Sequence, residues 1–307
     1  MKSGLSSDTV YTIDDLDDWP VEGTSLAVLG HPVKHSLSPP MHNAAIAELA
    51  TTDKQFSAWT YYKFDIPPDR LEEALAKFHK TGFRGLNLTV PHKVLATELV
   101  TIGENEVELS GACNTLLYTA SGYEGYNTDL YGMTQAIETD FSIRLKDKEV
   151  ILLGAGGAAR AAAIACSKAG VQRLTLANRT LSKLDTIATS LNRLEQRPTV
   201  KTCQLPGELP FTCDDLLVIN ATSLGLRPED PAPADLSQLP SSTLVFDMIY
   251  NPARTALLKQ GEALGMPVSN GIGMLVFQGE RSLRIWSRKD PSPHEMLKAV
   301  RAAMNSI

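Results

Sequence analysis

A glycine-rich turn near the middle of the chain constrains the fold more than any other feature. Residues 148–180 read KEVILLGAGGAARAAAIACSKAGVQRLTLANRT. The apolar run from Glu149 to Leu153 is typical of a strand buried on both faces of a parallel sheet, and the glycines follow it directly. We therefore predict a strand, a tight turn, an Ala-rich helix and a second strand from Arg173 to Ala177, the pattern of a doubly wound α/β sheet.

The spacing of the small residues in this turn favours a dinucleotide site. Gly154 permits the sharp turn, Gly156 lets the backbone approach a pyrophosphate, and Ala159 allows the helix to pack closely on the strand. The phosphates would bind the N–H groups and the positive dipole end of the helix that begins near Gly157. A glycine motif alone is weak evidence, because any strand-to-helix turn can be glycine-rich, but the elements predicted on both sides strengthen it.

The residues after the second strand indicate which dinucleotide binds. An NAD-binding unit places an Asp or Glu there to accept hydrogen bonds from the ribose hydroxyls, whereas this chain has Asn178, Arg179 and Thr180, with Lys183 close by. A guanidinium, a hydroxyl and an ammonium suit a 2′-phosphate, so we predict NADP as the cofactor. For Thr180 and Lys183 the plain alternative is that they are solvated residues at a helix start.

The composition is that of an ordinary globular protein whose partners are small molecules. The 307 residues are 43% hydrophobic and 21% charged, enough chain for two cores of moderate size. A net charge of −6 argues against a nucleic-acid or anionic-membrane surface, and no run of about twenty apolar residues predicts a membrane span. We expect no nucleic-acid and no membrane partner, while a monomer and a homodimer both fit the composition.

The cysteines and histidines do not predict a metal site. The four cysteines form no CxxC pair, which suggests reduced thiols in a cytoplasmic protein. Prolines interrupt helical spacing among His31, His35 and His42, and no carboxylate accompanies them. We therefore predict that no metal is bound.

The N-terminal segment has no predicted place in either core. Residues 1–24 are acidic, and they lack both the apolar centre of a signal peptide and the basic character of a transit peptide. We expect this segment to be an extension or a frayed arm.

A second series of short strands and helices precedes the glycine-rich turn. Its first helix has a predicted N-cap at Ser38, and a hairpin is predicted to turn at residues 120–122. Ligands bind at the carboxyl ends of strands in open α/β sheets. Taken singly, Lys93 also fits a solvated lysine and Asp129 a helix cap. The candidate polar residues are Asn87, Thr89 and Lys93 at a predicted strand end, Asn114 at the entrance of the hairpin, and Asp129 at the lead into the next helix.

Several stretches resemble motifs of the shikimate dehydrogenase family and follow one another in the family's order. They are HPVKHSLSPPMHN, NLTVPHK, GACNTL, NTDLYG, GAGGAAR, NRT, NATS, YNPART and GMLVFQG. The resemblance covers nearly the whole chain from residue 25. It implies a two-domain α/β fold and the reversible, NADP-dependent reduction of 3-dehydroshikimate to shikimate, on the route to chorismate and the aromatic amino acids. Close relatives that act on quinate share most of these motifs.

The same resemblance implies roles for individual residues. Lys93 and Asp129 match the family's catalytic pair. The substrate carboxylate would be held by Ser36, Ser38 and Tyr250, and the ring hydroxyls by Asn87, Thr89, Asn114, Asp129 and Gln278. The residues that would contact the cofactor are Gly154, Ala155, Gly156, Gly157, Ala158, Asn178, Arg179, Thr180, Lys183, Thr222, Ser223, Met248, Gly271 and Met274.

These roles agree with the chemistry of carbonyl reduction, which needs a hydride donor and a proton donor within reach of the carbonyl oxygen. An ammonium at Lys93 would give the proton and stabilise the developing negative charge, and a carboxylate at Asp129 would orient it. Lys183 stands where the family often has an Arg, which weakens the expected grip on the 2′-phosphate.

The motifs also divide the chain. We expect a substrate-binding domain of residues 1–128 plus 270–307, an NADP-binding Rossmann domain of residues 129–269, and an active site between them. Two alternatives stay open: a quinate/shikimate dehydrogenase that uses NAD, and a shikimate-binding regulator without catalysis.

Overall fold

Short strands and helices make up most of residues 5–20 and 22–305, the part of the chain that the computed structural model describes. The chain divides into two units, Met1–Thr128 with Gln278–Ile307, and Asp129–Phe277. It returns to the first unit inside a helix, whereas the expected boundary of 270 falls at the end of the preceding strand. The predicted fold class, α/β with a doubly wound parallel sheet in a two-domain chain, is confirmed.

The strands and α-helices are numbered in chain order. The first of them are β1 (Val10–Tyr11), β2 (Thr24–Gly30), α1 (Ser38–Thr52), β3 (Trp59–Asp65), α2 (Leu71–Lys80), β4 (Gly85–Leu88), α3 (His92–Leu95), β5 (Thr101–Ile102), α4 (Asn105–Ser110), β6 (Thr115–Thr119) and β7 (Gly122–Tyr126). They continue with α5 (Thr128–Asp140), β8 (Glu149–Leu153), α6 (Gly157–Lys168), β9 (Arg173–Asn178), α7 (Asp185–Leu191), β10 (Thr199–Gln204), β11 (Leu216–Asn220), β12 (Leu244–Asp247), α8 (Ala256–Ala263), β13 (Val268–Asn270), α9 (Ile272–Ser287) and α10 (Pro293–Met304).

The first unit contains a seven-stranded mixed sheet in the order β1-β3-β2-β4-β6-β7-β5. Strand β6 runs antiparallel to β4 and to β7, and Thr119 pairs with Gly122 at the predicted hairpin turn. The chain passes from β2 to β3 on one side and then crosses to β4 on the other, where Leu29 pairs with Leu88. The carboxyl ends of β2 and β4 therefore form a switch point, the place where open α/β sheets bind ligands.

The second unit contains a six-stranded parallel sheet in the order β10-β9-β8-β11-β12-β13. Counted from β8, this order is 3-2-1-4-5-6, that of dinucleotide-binding sheets. All residues of β8 and β11 are buried, as expected for central strands covered on both faces. The glycine-rich turn joins β8 to α6, so the predicted strand, turn, helix and strand are confirmed.

The N-terminal segment packs into the core of the first unit. Strand β1 pairs with β3, and Ile13 and Leu16 are buried. Trp19 lies edge-on to Tyr11 and Tyr62, with ring centroids 5.1 and 5.0 Å away. The expectation of a frayed arm is therefore wrong for the described part of this segment, because Tyr11, Ile13, Leu16 and Trp19 join the hydrophobic core of the first unit.

Replacement of Trp19 by Ala is expected to lower the free energy of unfolding by about 3 kcal/mol or more, because emptying the site of a buried aromatic ring costs about 3–5 kcal/mol. Urea denaturation measures the change. Leu5→Ala is the matched control from the same segment, since Leu5 is 36% exposed and should cost no more than about 0.5 kcal/mol. Equal, small losses in the two variants would contradict the packing of this segment.

Candidate active site

Three amide side chains assigned to the substrate meet at the end of the first sheet. Asn87, Asn114 and Gln278 are 4%, 2% and 8% exposed. The Asn87 amide nitrogen donates to the Asn114 carbonyl oxygen at 3.1 Å, and the Asn114 amide nitrogen donates to Gln278 Oε1 at 3.3 Å. Strand β4, the residue before β6 and helix α9 thus bring residues from distant parts of the chain into one hydrogen-bonded group.

Three buried hydroxyls, which we call the hydroxyl triangle, lie behind these amides. Thr115 Oγ1 is 2.7 Å from Ser282 Oγ and 3.2 Å from Thr128 Oγ1, and the last two oxygens are 3.2 Å apart. The Thr128 backbone N–H donates to Asn114 Oδ1 at 2.7 Å, and the Asn87 amide nitrogen donates to Ser282 Oγ at 3.0 Å. The sequence analysis missed this triangle. The pattern that could have indicated it is Ser282, which lies one helical turn after the predicted Gln278.

Ser36 and Ser38 lie after β2, beside the same sheet end. Helix α1 begins at Ser38 itself, and no side chain caps it. The predicted N-cap is therefore wrong: Pro39 and Pro40 have no N–H to donate, and the Met41 N–H donates to the Leu37 carbonyl oxygen at 3.3 Å. Instead, the Ser38 backbone N–H donates to Ser36 Oγ at 3.3 Å, so the two hydroxyl-bearing residues are held together.

Thr89 and Lys93 follow β4. The Thr89 carbonyl oxygen accepts from the His92 N–H at 2.8 Å, where α3 begins. Lys93 is the second residue of this helix and is half-buried. Its carbonyl oxygen accepts from the Cys113 N–H at 2.9 Å, one residue before Asn114. The backbone of Lys93 therefore lies next to the buried amide group.

Two predicted substrate residues belong to the second unit. Asp129 lies in the first turn of α5, half-buried, and directly follows Thr128 of the hydroxyl triangle. Tyr250 is half-buried after β12, and burial raises the pKa of its phenol. Its hydroxyl therefore stays protonated at neutral pH and can donate a hydrogen bond to an anion.

The glycine-rich turn has the shape that a pyrophosphate requires. Gly154 has a φ of +120°, and a Cβ there would lie 3.0 Å from the Ala221 carbonyl oxygen. At Gly156 and Gly157 a Cβ would meet nothing within 4 Å, so the space before the helix is open. No side chain among the described residues caps α6. Its first N–H groups are thus available to phosphate oxygens, and the turn fits NADP. Of the other predicted residues of the turn, Ala155 is half-buried and Ala158 is exposed.

The end of β9 presents cations and no carboxylate. The Asn178 amide nitrogen donates to the Thr180 carbonyl oxygen at 2.9 Å, which closes the turn. Arg179, Thr180 and Lys183 are exposed just beyond the strand. The side chains at this position therefore suit an anionic 2′-phosphate rather than a ribose hydroxyl that needs an acceptor.

A buried carboxylate lies at the carboxyl end of another strand of the same sheet. Asp247 and Asn220, the last residues of β12 and β11, are fully buried. Asp247 accepts from the Asn220 amide at 3.0 Å, from the Ile249 N–H at 3.0 Å and from the Thr255 hydroxyl at 2.6 Å. Burial raises the pKa of this carboxyl group. The sequence analysis missed Asp247, although a carboxylate that ends an apolar strand is a usable signal.

This network holds the loops that carry the remaining predicted cofactor residues. Asn220 Oδ1 accepts from the backbone N–H and the hydroxyl of Thr222 at 3.0 and 2.8 Å. A Cβ at Gly271 would lie 2.1 Å from the Met248 carbonyl oxygen, so only glycine fits there. Met248 and Gly271 are thus neighbours, as one binding site requires. Ser223 is exposed, and Met274 lies half-buried in α9.

The sequence analysis also singled out His42 and the four cysteines. His42 is buried and stacks on Tyr61, with ring centroids 4.2 Å apart, and burial lowers its pKa to about 3. The four cysteines are free thiols. Within the described ranges no group of His, Cys, Asp and Glu side chains suits a metal ion. No helix in that part of the chain has the length and apolar character to cross a bilayer.

Known proteins share this sequence pattern. The model of the shikimate dehydrogenase substrate binding domain matches residues 28–116, and that of shikimate / quinate 5-dehydrogenase matches residues 135–206. A shikimate dehydrogenase (NADP(+)) from Methanopyrus kandleri is 36% identical over 286 residues, which cover 91% of this chain and 95% of that protein. The chain belongs to the shikimate dehydrogenase family.

Solved structures extend the similarity to the fold. Shikimate 5-dehydrogenase from Thermus thermophilus, in complex with NADP(H) and shikimate, has a TM-score of 0.78 at 32% identity, covering 91% of this chain and 99% of that one. A ligand-free 5-ketofructose reductase of Gluconobacter sp. has a TM-score of 0.82 at 29% identity, covering 91% and 98%. Enzymes named for different substrates share this fold. The fold alone therefore does not identify the substrate of this shikimate dehydrogenase family member, which depends on the residues of its site.

In this member of the shikimate dehydrogenase family, Asp247→Ala is expected to lower the free energy of unfolding by about 3 kcal/mol or more. Three buried donors lose their acceptor, and each unsatisfied donor costs about 1–3 kcal/mol. Asp247→Asn keeps one acceptor oxygen and should cost less. Guanidinium denaturation of both variants, with exposed Asp235→Ala as the control, measures the difference. An Asp247→Ala protein as stable as Asp235→Ala would rule out this support.

Proposed function

We propose that this protein is an NADP-dependent shikimate dehydrogenase, which reversibly reduces 3-dehydroshikimate to shikimate in the cytoplasm, on the route to chorismate and the aromatic amino acids. The observation that carries the proposal is the convergence of Asn87, Asn114 and Gln278 in one buried polar group. A polyhydroxylated ring needs such paired donors and acceptors, because an unpaired polar group in a closed site is costly. Membership of the family supports the same substrate.

We assign the substrate carboxylate to the hydroxyls of Ser36, Ser38 and Tyr250. All three are donors when neutral, and charge-assisted hydrogen bonds to a carboxylate are the stronger kind. The ring hydroxyls are assigned to the amide group together with Thr89 and Asp129. This division places donors opposite the anion, and amides, which both donate and accept, opposite the hydroxyls.

The chemical step requires a proton and a hydride. Bound NADPH supplies the hydride. We assign the proton to Lys93, whose ammonium would donate to the carbonyl oxygen as negative charge builds there and would stabilise that charge. Asp129 is assigned as the acceptor for a ring hydroxyl. In the reverse direction the same lysine, as a neutral amine, accepts the proton.

We propose that the Rossmann domain, expected at residues 129–269, holds NADP. Gly154 through Ala158 would bind the pyrophosphate through backbone N–H groups, and Arg179 with Thr180 and Lys183 would bind the 2′-phosphate. The open space at Gly156 and Gly157 supports the first contact, and the absence of a carboxylate from residues 178–183 supports the second.

Lys93→Ala is expected to lower kcat by about 10² or more, the usual scale of positioned general acid catalysis. The dissociation constant for shikimate should change much less, since the charge that Lys93 stabilises builds only in the transition state. Steady-state kinetics and titration calorimetry measure the two quantities, and Lys80→Ala, an exposed lysine of the same unit, is the control. Normal turnover with poor shikimate binding would reduce Lys93 to a binding residue.

Arg179→Ala is expected to raise the KM for NADP about ten- to a hundredfold, the value of one charge-assisted hydrogen bond, and to leave the KM for NAD nearly unchanged. The control is Arg144→Ala, which removes an exposed guanidinium of the same unit that pairs with Glu138. An equal effect on both cofactors would refute the 2′-phosphate site.

The wild-type protein itself decides between the candidate functions. Turnover is measured with shikimate and with quinate, each with NADP and with NAD. A preference for quinate with NAD would replace the proposal by the alternative dehydrogenase. Tight binding of shikimate without any turnover would replace it by the regulator.

A further inference from the structure

Tyr61 is a fully buried tyrosine whose hydroxyl has no role in the proposed reaction. This hydroxyl donates to Asn87 Oδ1 at 2.7 Å. Burial raises its pKa well above that of an exposed tyrosine, while a hydrogen bond with the Ser38 side chain acts in the opposite direction. The neutral hydroxyl is therefore a donor to Asn87, which is assigned to the ring hydroxyls.

The position of the Tyr61 ring is fixed on two sides. The Asn43 amide pairs with its backbone, accepting from the Tyr61 N–H at 2.8 Å and donating to the Tyr61 carbonyl oxygen at 2.9 Å. The ring stacks on His42 with an interplanar angle of 5°. Strand β3 and helix α1 thus hold the hydroxyl in one place, so Asn87 has to adapt to it.

The contacts of Asn87 leave it one way to orient its amide. Its two N–H hydrogens face three acceptors: the Asn114 carbonyl oxygen at 3.1 Å, Thr115 Oγ1 at 3.0 Å and Ser282 Oγ at 3.0 Å. A flipped amide would place its oxygen against the Asn114 carbonyl oxygen, where two acceptors repel. With the donors engaged and one lone pair of Oδ1 taken by Tyr61, a single lone pair remains.

We infer that Tyr61 and Ser282 are positioning residues that fix the Asn87 amide so that it presents only an acceptor to the substrate. An acceptor oxygen on Asn87 favours a substrate hydroxyl, which can donate a hydrogen bond to it. A substrate carboxylate or carbonyl oxygen is disfavoured there, because two acceptor oxygens cannot form a hydrogen bond with each other. The inference deepens the proposed function and rests on it. Neither residue touches the reacting atoms, so both act through Asn87.

Tyr61→Phe tests the first positioning residue, because it removes the hydroxyl and keeps the stacked ring. The shikimate KM should rise about three- to tenfold, the value of one net hydrogen bond, while kcat and the KM for NADP stay unchanged. Tyr62→Phe is the matched control, since successive side chains of a strand point to opposite faces and Tyr62 packs against Trp19.

Ser282→Ala tests the second positioning residue. Ser282 and Ser287 lie in the same helix and each donates to the carbonyl oxygen four residues earlier, at 2.9 and 2.6 Å. Ser287→Ala therefore reproduces the loss of a helical serine without touching Asn87. We expect a rise in the shikimate KM for Ser282→Ala and none for Ser287→Ala. Circular dichroism establishes that each variant is folded, and Tyr61→Phe carries the test if Ser282→Ala is not.

A double-mutant cycle separates positioning from a merely structural role. If Tyr61 acts through Asn87, Tyr61→Phe should raise the shikimate KM much less in an Asn87→Ala background than in the wild type. Additive effects, or a shikimate KM that Tyr61→Phe leaves unchanged, would overturn the inference and leave the proposed function intact. A wild-type protein that neither binds nor turns over shikimate would reject the proposed function and the inference with it.

Discussion

The first unit depends on the hydrogen bonds of one buried residue, Asn114. Its backbone N–H donates to the Tyr126 carbonyl oxygen at 3.0 Å, and its carbonyl oxygen accepts from the Leu88 N–H at 2.9 Å. Its side chain accepts from the Thr128 N–H at 2.7 Å. One residue therefore connects strand β4, the β6–β7 hairpin and the start of α5. Because a buried polar group left unpaired costs about 1–3 kcal/mol, these elements have little freedom to separate.

The two units would bind their proposed ligands through different groups, backbone N–H groups in one and side chains in the other. This difference determines how much of each site the sequence can predict. The phosphates would bind backbone N–H groups in a turn whose shape Gly154 makes possible, and such a turn follows from a few adjacent residues. The ring would bind side chains from β4, the residue before β6 and α9. Local patterns predicted Asn87 at a strand end and Asn114 at the entrance of a hairpin, but only the family resemblance assigned Asn114 and Gln278 to one substrate.

What the sequence could not predict depends on contacts between distant residues. Tyr61 and Tyr62 are adjacent and chemically alike, and only the pairing of β3 with its neighbours decides which of them faces Asn87. Ser282 is one hydroxyl in an amphipathic helix, and its role appears only when β4 lies beside it. In the N-terminal segment, five aspartates and one glutamate set the average composition, whereas the apolar residues Tyr11, Ile13, Leu16 and Trp19 determine the packing.

The short strand β1 also has a consequence for the sheet as a whole. It contains two residues and covers the outer edge of β3 at Lys63 and Phe64. Further along β3, the Asn43 side chain pairs with the backbone N–H and C=O of Tyr61 as a neighbouring strand would. An unpaired edge of this length is a template for strands of other chains. The N-terminal segment and one asparagine thus protect this edge of the sheet against edge-to-edge aggregation.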